Sequence, residues 1–290
     1  MCDNDSFDDM LQHDLNNGGL SRRQFGALTL GAGLVSMLPQ VANAAETKDA
    51  EVTIRTPDGE CDAYFVHPAS GTSPAVLVYP DIFGLRPAFK QMGKHLAESG
   101  YAVLVVNPFY RKQKSPTASS NNMEDPATRQ TLMGMMGSLT AQTQTTDAKA
   151  FVEWLDKQPP VAKNRKMGTA GYCMGGPITM RTAAALPDRI GAAASFHGAG
   201  LVTDKPDSPH LLVPKLKAHY LFAIAKNDDE RQPEAKTVLK DAFAKAKLPA
   251  EIEVYSAMHG WCPPDSRVYD ATQAEKAWAR MLALFKQALV

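Results

Sequence analysis

The sequence predicts a three-layer α/β domain built on a mostly parallel sheet. Short continuous apolar runs recur along the chain, and segments with helical periodicity separate them. Strands that are buried on both faces of a parallel sheet form such runs, and alternation with helices covers both faces of the sheet. No linker-like segment interrupts the alternation, so we expect one domain.

The predicted strands and helices follow one another from Cys61 onward. The first strand, Cys61–His67, alternates loosely between apolar and polar residues and ends at Pro68, as a partly exposed strand does. Six apolar runs are predicted as buried strands: 75–79, 101–106, 166–172, 190–196, 219–225 and 252–255. Helical patterns are predicted at 87–99, 126–138, 144–158, 176–186, 233–247 and 271–289. A loop over one edge of the sheet is expected at 108–125.

Composition excludes several classes of protein. The chain has 290 residues, of which 44% are hydrophobic and 21% are charged, as in a globular protein rather than a disordered chain or a coiled coil. It carries 31 basic and 31 acidic side chains without a dense basic block, which argues against a nucleic-acid partner. No apolar run reaches the roughly 18 residues of a membrane span, so we expect no stable membrane anchor.

Residues 1–44 have the pattern of an export signal. Arg22 and Arg23 precede a weakly apolar stretch, Gly26–Val41, and Ala42–Ala44 supplies the small residues of a signal-peptidase site. Paired arginines before such a stretch resemble a twin-arginine signal. We therefore expect export through the twin-arginine translocase, cleavage after Ala44, a mature domain of residues 45–290 and a periplasmic location. The alternative is a disordered tail followed by an amphipathic helix.

The number of cysteines leaves at least one thiol without an intrachain disulfide partner. With Cys2 lost in the signal, the mature chain keeps Cys61, Cys173 and Cys262, an odd number that intrachain disulfides cannot use up. Their separations, and the lack of Cys-x-x-Cys or His-x₃-His spacing, argue against a zinc site. At least one of these cysteines therefore has a role other than an intrachain disulfide or a zinc site.

Cys173 lies at a predicted strand-to-helix junction with the spacing of a nucleophile elbow. The segment Gly171–Gly176 has the pattern Gly-x-nucleophile-x-Gly, with cysteine where serine is usual. Glycines are needed because the sharp turn leaves no room for a Cβ beside the nucleophile. The positive end of the following helix favours a thiolate there. The alternative is a tight turn that holds a buried structural cysteine.

Two later strand ends supply partners for this cysteine. Asp228 and Asp229 follow the predicted strand 219–225, where an acid that orients a histidine belongs, and His259 follows the strand 252–255. The order nucleophile, acid, histidine is that of α/β-hydrolases. Position in this order favours His259 over the other histidines as the base, but it leaves both aspartates open.

Other residues are candidates for the pocket beside these groups. His197 ends the predicted strand 190–196 and is expected to line the pocket wall. Phe83 and Trp261 are expected to contribute apolar surface there. The alternative for each of these aromatic side chains is ordinary core packing.

These segments together resemble the dienelactone hydrolase family. The elbow, the segments Pro80–Leu85 and Asn107–Arg111, and the later aspartate and histidine carry the resemblance, which spans most of residues 52–289. It implies an α/β-hydrolase fold and hydrolysis of a small ester or lactone by a Cys-His-Asp triad, with no metal or organic cofactor. The family's spacing from the strand end favours Asp228 over Asp229, and we choose Asp228.

The implied mechanism assigns a role to each residue. The Cys173 thiolate attacks the carbonyl carbon, His259 protonates the leaving alkoxide, and water activated by His259 releases the acid. The backbone N–H groups of Met174 and Ile82 form the oxyanion hole.

Three departures from the family limit the choice of substrate. The family usually has Glu where Asp81 stands and uses it to contact the resting thiol, so Asp81 is expected to modulate Cys173 with a shorter reach. The substrate-binding arginine expected four residues after the histidine is Pro263. Arg129 is a candidate for the other substrate arginine, or else a surface charge. Losing one arginine removes a bidentate carboxylate clamp, so we expect a small ester or lactone rather than the dienelactone itself.

Two other functional classes remain open. The chain could be a thiol redox protein in which Cys173 pairs with Cys262 or Cys61, or a catalytically silent hydrolase fold that binds a ligand. Hydrolysis that requires Cys173 and His259 distinguishes the enzyme from both. The sequence makes no prediction of oligomeric state.

Overall fold

One eight-stranded sheet organises the computed structural model, which describes residues 44–118 and 123–290. The strands are β1 (Thr47–Thr56), β2 (Gly59–Pro68), β3 (Ala75–Tyr79), β4 (Ala102–Val106), β5 (Met167–Tyr172), β6 (Ile190–Phe196), β7 (His219–Ala225) and β8 (Ala250–Tyr255). Their order in the sheet is β1-β2-β4-β3-β5-β6-β7-β8. The strands from β4 to β8 in this order are parallel, and β2 is antiparallel to both β1 and β4.

Helices cover both faces of the sheet. They are α1 (Pro87–Glu98), α2 (Pro126–Gly137), α3 (Ala141–Asp156), α4 (Gly175–Ala185), α5 (Lys226–Arg231), α6 (Ala235–Ala246) and α7 (Ala271–Ala288), with a 3₁₀ helix at Pro209–Lys215. One core contains side chains of α3, α4 and α6, and a second core contains those of α1 and α7. The predicted three-layer α/β fold with a mostly parallel sheet is therefore confirmed.

Besides the 3₁₀ helix Pro209–Lys215, one strand and one short α-helix were not predicted. β1 presents polar or exposed residues along most of its length, and it forms a two-stranded antiparallel edge with β2. α5 has only six residues and no apolar stripe, because it lies at the surface after β7. Both lack the burial that produces a recognisable apolar pattern.

The topology brings the loops that follow the parallel strands to one edge of the sheet. Parallel strands end on the same side, so the segments that follow β3, β5, β6, β7 and β8 converge there. These segments begin at Pro80, Cys173, His197, Lys226 and Ser256, and they contain most of the predicted site residues. Within the described residues, no helix has the length and apolar character needed to cross a membrane. The predicted export signal, except for Ala44, lies outside them.

Candidate active site

Cys173 adopts a backbone conformation that is rare for residues other than glycine. Its φ angle is +55°, in the left-handed region. β5 ends one residue before it, and α4 begins two residues after it. The Cys173 N–H donates to the Phe196 carbonyl at 3.0 Å, and the Cys173 carbonyl accepts from the Gly176 N–H at 3.0 Å. Hydrogen bonds on both sides of Cys173 therefore hold the turn, as a strained backbone conformation requires.

The glycines that flank Cys173 are needed for this turn. A Cβ added to Gly171 would lie 2.1 Å from the carbonyl oxygen of Gly175. A Cβ on Gly176 would lie 2.4 Å from Ser195 Oγ and 2.7 Å from the Cα of Gly198. The elbow geometry expected from the sequence is thus present, and it places Cys173 near the positive end of α4.

The redox state of the cysteines bears directly on the chemistry. Cys61 and Cys262 are buried free thiols, so neither of them is bonded to Cys173. Burial raises the pKa of Cys262 well above its usual range. The nucleophilic role predicted for Cys173 belongs to its reduced thiol form.

His259 and Asp228 form a hydrogen-bonded acid–base pair. His259 Nδ1 lies 2.7 Å from Asp228 Oδ2, and the His259 N–H donates to Asn227 Oδ1 at 2.8 Å. Asp229 accepts instead from Lys236 Nζ at 2.7 and 2.6 Å. The structure therefore brings Asp228, and not Asp229, to the histidine. A bond at Nδ1 fixes the tautomer whose Nε2 works as the base in a triad.

The two predicted oxyanion donors lie at the ends of neighbouring strands. Tyr79 of β3 pairs with Gly171 of β5, so Ile82 and Met174 follow adjacent positions of the sheet. Within the described ranges, neither of their backbone N–H groups donates to a protein acceptor. Both N–H groups can therefore donate a hydrogen bond to an oxyanion.

Asp81 makes contacts that the sequence did not predict. Its Oδ1 and Oδ2 accept from Arg86 Nη1 and Nη2 at 2.6 and 2.9 Å, and Oδ1 also accepts from the Phe83 N–H. The same guanidinium binds Asp265. The role of Asp81 toward the Cys173 thiol stays a prediction, since its observed partner is Arg86.

Arg86 and Asp265 were missed by sequence reasoning. Burial alone would lower the pKa of the Arg86 guanidinium, but the charges of Asp265 and Asp81 outweigh this and raise it. The two partners Arg86 and Asp265 are 179 positions apart. An arginine before a helix-initiating proline has no pattern that would reveal this contact.

His197 is packed behind the histidine of the acid–base pair rather than against solvent. It is 0% exposed, and its ring centroid lies 5.0 Å from that of His259 and 5.1 Å from that of Trp261. Burial, followed by the neighbouring His259, lowers the pKa of His197 well below its usual value. Its φ of +40° adds backbone strain. His197 is therefore a buried, neutral neighbour of both His259 and Trp261.

Cys173 lies in an apolar cluster, and Arg129 contacts a member of that cluster. Cys173 belongs to a cluster whose other buried members are Ile82, Phe109, Met123, Leu132, Met135 and Met174. Arg129, on α2, donates from Nε to the Met123 carbonyl at 2.9 Å. Phe83 is partly buried against the cluster, and its ring lies 5.3 Å from Arg86 Cζ. In the described part of the chain, no group of three or more His, Cys, Asp or Glu side chains is placed to hold a metal ion.

Comparison with known proteins identifies the family of this chain. The model of the dienelactone hydrolase family matches residues 61–289. The chain belongs to the dienelactone hydrolase family. It is therefore a hydrolase of the dienelactone hydrolase type, and the family predicted from the sequence is confirmed.

Individual relatives agree with this assignment. Carboxymethylenebutenolidase 1 of Cupriavidus pinatubonensis is 24% identical over 235 residues, which cover 81% of this chain and 94% of that protein. The structure of a dienelactone hydrolase from Anabaena variabilis superposes with a TM-score of 0.61 at 16% identity, covering 84% of this chain and 99% of the other. A dienelactone hydrolase-like promiscuous phosphotriesterase from metagenomic libraries gives 0.69 at 22% identity, covering 84% and 99%. At these identities, the two structures support the α/β-hydrolase fold.

Proposed function

We propose that this hydrolase cleaves an ester or lactone bond of a small molecule through Cys173, His259 and Asp228. The observation that carries the proposal is the 2.7 Å contact between His259 Nδ1 and Asp228, on loops of the same sheet edge as the strained elbow at Cys173. A cysteine, an aspartate and a histidine are the residue types of such a triad, and they follow β5, β7 and β8 in the chain order of α/β-hydrolases. A relative named carboxymethylenebutenolidase supports a lactone among the substrates.

Acylation begins at the reduced Cys173. The thiol proton passes to Nε2 of His259, and the thiolate forms a C–S bond with the carbonyl carbon. The carbonyl oxygen takes up the negative charge facing the N–H groups of Ile82 and Met174. When the tetrahedral intermediate collapses, the C–O bond to the leaving group breaks. His259 gives its Nε2 proton to the departing alkoxide, while Asp228 holds the ring and offsets the charge of the imidazolium.

Deacylation reverses the roles of the same groups. His259 takes a proton from water, and the resulting hydroxide attacks the thioester carbon. The C–S bond breaks, the carboxylic acid product leaves, and the Cys173 thiolate is restored. For a lactone, the alcohol and the acid remain in one product molecule.

The kinetic test compares variants of the full-length protein after reduction with a phosphine and desalting. With p-nitrophenyl acetate and a panel of small lactones as substrates, we expect Cys173→Ala and His259→Ala to lower kcat by at least ~10³-fold, because both act as one unit. Cys262→Ala is the matched control, since it removes a buried thiol that lies three residues beyond His259. Unchanged hydrolysis in Cys173→Ala would contradict the proposal.

We also propose that residues 1–44 direct the protein through the twin-arginine translocase to the periplasm. The paired Arg22 and Arg23, the weakly apolar stretch and the small residues before position 45 support this. N-terminal sequencing of the protein from a periplasmic fraction should begin at Ala45, and replacing both arginines with lysine should abolish export.

A further inference from the structure

We propose that Arg86 is a positioning residue for hydrolysis: through Asp81 and Asp265, it sets the spacing between the loop that carries Ile82 and the loop that carries His259. The inference rests on the proposed function for its readout, but the contacts that suggest it are separate from the triad. Arg86 is the residue before α1, and it is 7% exposed.

The guanidinium of Arg86 is saturated by two carboxylates and one backbone carbonyl. Nη1 and Nη2 donate to the two oxygens of Asp81 at 2.6 and 2.9 Å, and Nε and Nη2 donate to the two oxygens of Asp265 at 2.7 and 2.9 Å. Nη1 also lies 3.4 Å from the Gly84 carbonyl. All five N–H donors of an arginine are accounted for by these acceptors, in two bidentate pairs that lysine cannot form.

Aromatic rings hold the guanidinium in place. Its carbon lies 4.8 Å from the ring centroid of Phe89 and 5.3 Å from that of Phe83. Arginine stacks on such rings without giving up its in-plane hydrogen bonds. The guanidinium of Arg86 cannot rotate or shift without breaking several of these contacts.

The three charged residues connect the two loops that the proposed chemistry needs. Asp81 directly precedes Ile82, and its carboxylate also accepts from the Phe83 N–H at 2.9 Å. Asp265 lies on the segment between β8 and α7, six residues beyond His259. Arg86 is therefore the link between the oxyanion loop and the histidine loop.

The cost of this arrangement indicates a role beyond stability. All three side chains are buried, and the two carboxylates share the guanidinium of Arg86. Buried ion pairs are often replaceable by apolar side chains without loss of stability. A saturated guanidinium is also a poor ligand for a substrate carboxylate, which argues against direct substrate binding. Positioning is the function that remains for it.

The test measures kcat and KM of reduced full-length Arg86→Met and Arg86→Lys with p-nitrophenyl acetate. A displacement near 1 Å of a donor costs on the order of 10²-fold in rate. We expect Arg86→Met to lower kcat by about 10- to 100-fold with KM changed by less than about 3-fold, and Arg86→Lys to recover only part of the loss. Rates are taken below the unfolding temperature of each variant, with folding checked by near-UV circular dichroism.

The matched control is Arg189→Met. Arg189 binds Asp156 through Nε and Nη2 at 3.0 and 2.8 Å, but it precedes β6 at the opposite end of the sheet. It should lose stability without a change in kcat. If Arg86→Met does not fold, Asp265→Asn replaces it as the near-isosteric variant, for which we expect a fall in kcat of at least about 3-fold at unchanged KM.

The outcomes separate the inference from the proposed function. Wild-type hydrolysis that is lost in Cys173→Ala, together with a kcat of folded Arg86→Met and Asp265→Asn within 2-fold of wild type, would overturn the positioning role alone. Hydrolysis that survives in Cys173→Ala would overturn the proposed function, and with it the positioning role. Loss of kcat in Arg189→Met equal to that in Arg86→Met would also overturn the inference.

Discussion

At the scale of single residues, two residues of the candidate site have unfavourable backbone conformations. Cys173 and His197 are non-glycine residues in the left-handed region, at φ +55° and +40°. Each such residue costs on the order of 1–3 kcal/mol and persists because its surroundings determine it. Neither ring nitrogen of His197 has a hydrogen-bond partner within the described residues, which adds a desolvation cost. Strain at these two positions is consistent with a site shaped for reaction rather than for stability.

His197 gives a prediction about pH. Since its pKa is lowered in the folded protein, the unfolded chain binds this proton more readily, and stability is lost as the pH falls below the unfolded value of about 6.5. The loss continues down to the folded pKa, at up to about 1.4 kcal/mol per pH unit. His197→Phe should remove this component, so its urea-unfolding free energy should fall less steeply between pH 6.5 and 5. Equal slopes in the variant and the wild type would contradict the assignment.

At the scale of elements, the short helix α5 decides which aspartate meets the histidine. Its first turn contains both Asp228 and Asp229. Consecutive helical residues point in directions about 100° apart, so one carboxylate reaches His259 and the other reaches Lys236. The sequence places both candidates correctly at the end of β7, but a six-residue polar helix has no pattern from which this choice follows.

The two aspartates form a matched pair for mutation. Asp228→Asn should lower kcat by about 10⁴-fold, because the amide favours the wrong histidine tautomer. Asp229→Asn should leave kcat within about 2-fold, since it removes only a partly exposed ion pair with Lys236. Steady-state kinetics on the reduced proteins checks both values. A larger loss in Asp229→Asn than in Asp228→Asn would reverse the assignment.

At the scale of the whole molecule, the sheet explains what the sequence could predict. Strands buried on both faces give continuous apolar runs, so β3 to β7 follow from the sequence pattern. The candidate site at the carboxyl ends of the parallel strands follows from the order of its residues along the chain. β1 was not predicted from the sequence, because most of its residues are exposed at an edge of the sheet. The Arg86–Asp265 contact was not predicted, because the two residues are 179 positions apart and only folding brings them into contact.

The central claim is that Cys173 carries the acyl group during turnover. Its most direct test is the intact mass of the reduced full-length protein, quenched in acid during hydrolysis of p-nitrophenyl acetate, followed by peptide mapping. The account predicts a mass increase of one acetyl group, located on Cys173, which decays as substrate is consumed and is absent in Cys173→Ala. Turnover with no acyl group on Cys173, or with the group on another residue, would contradict it.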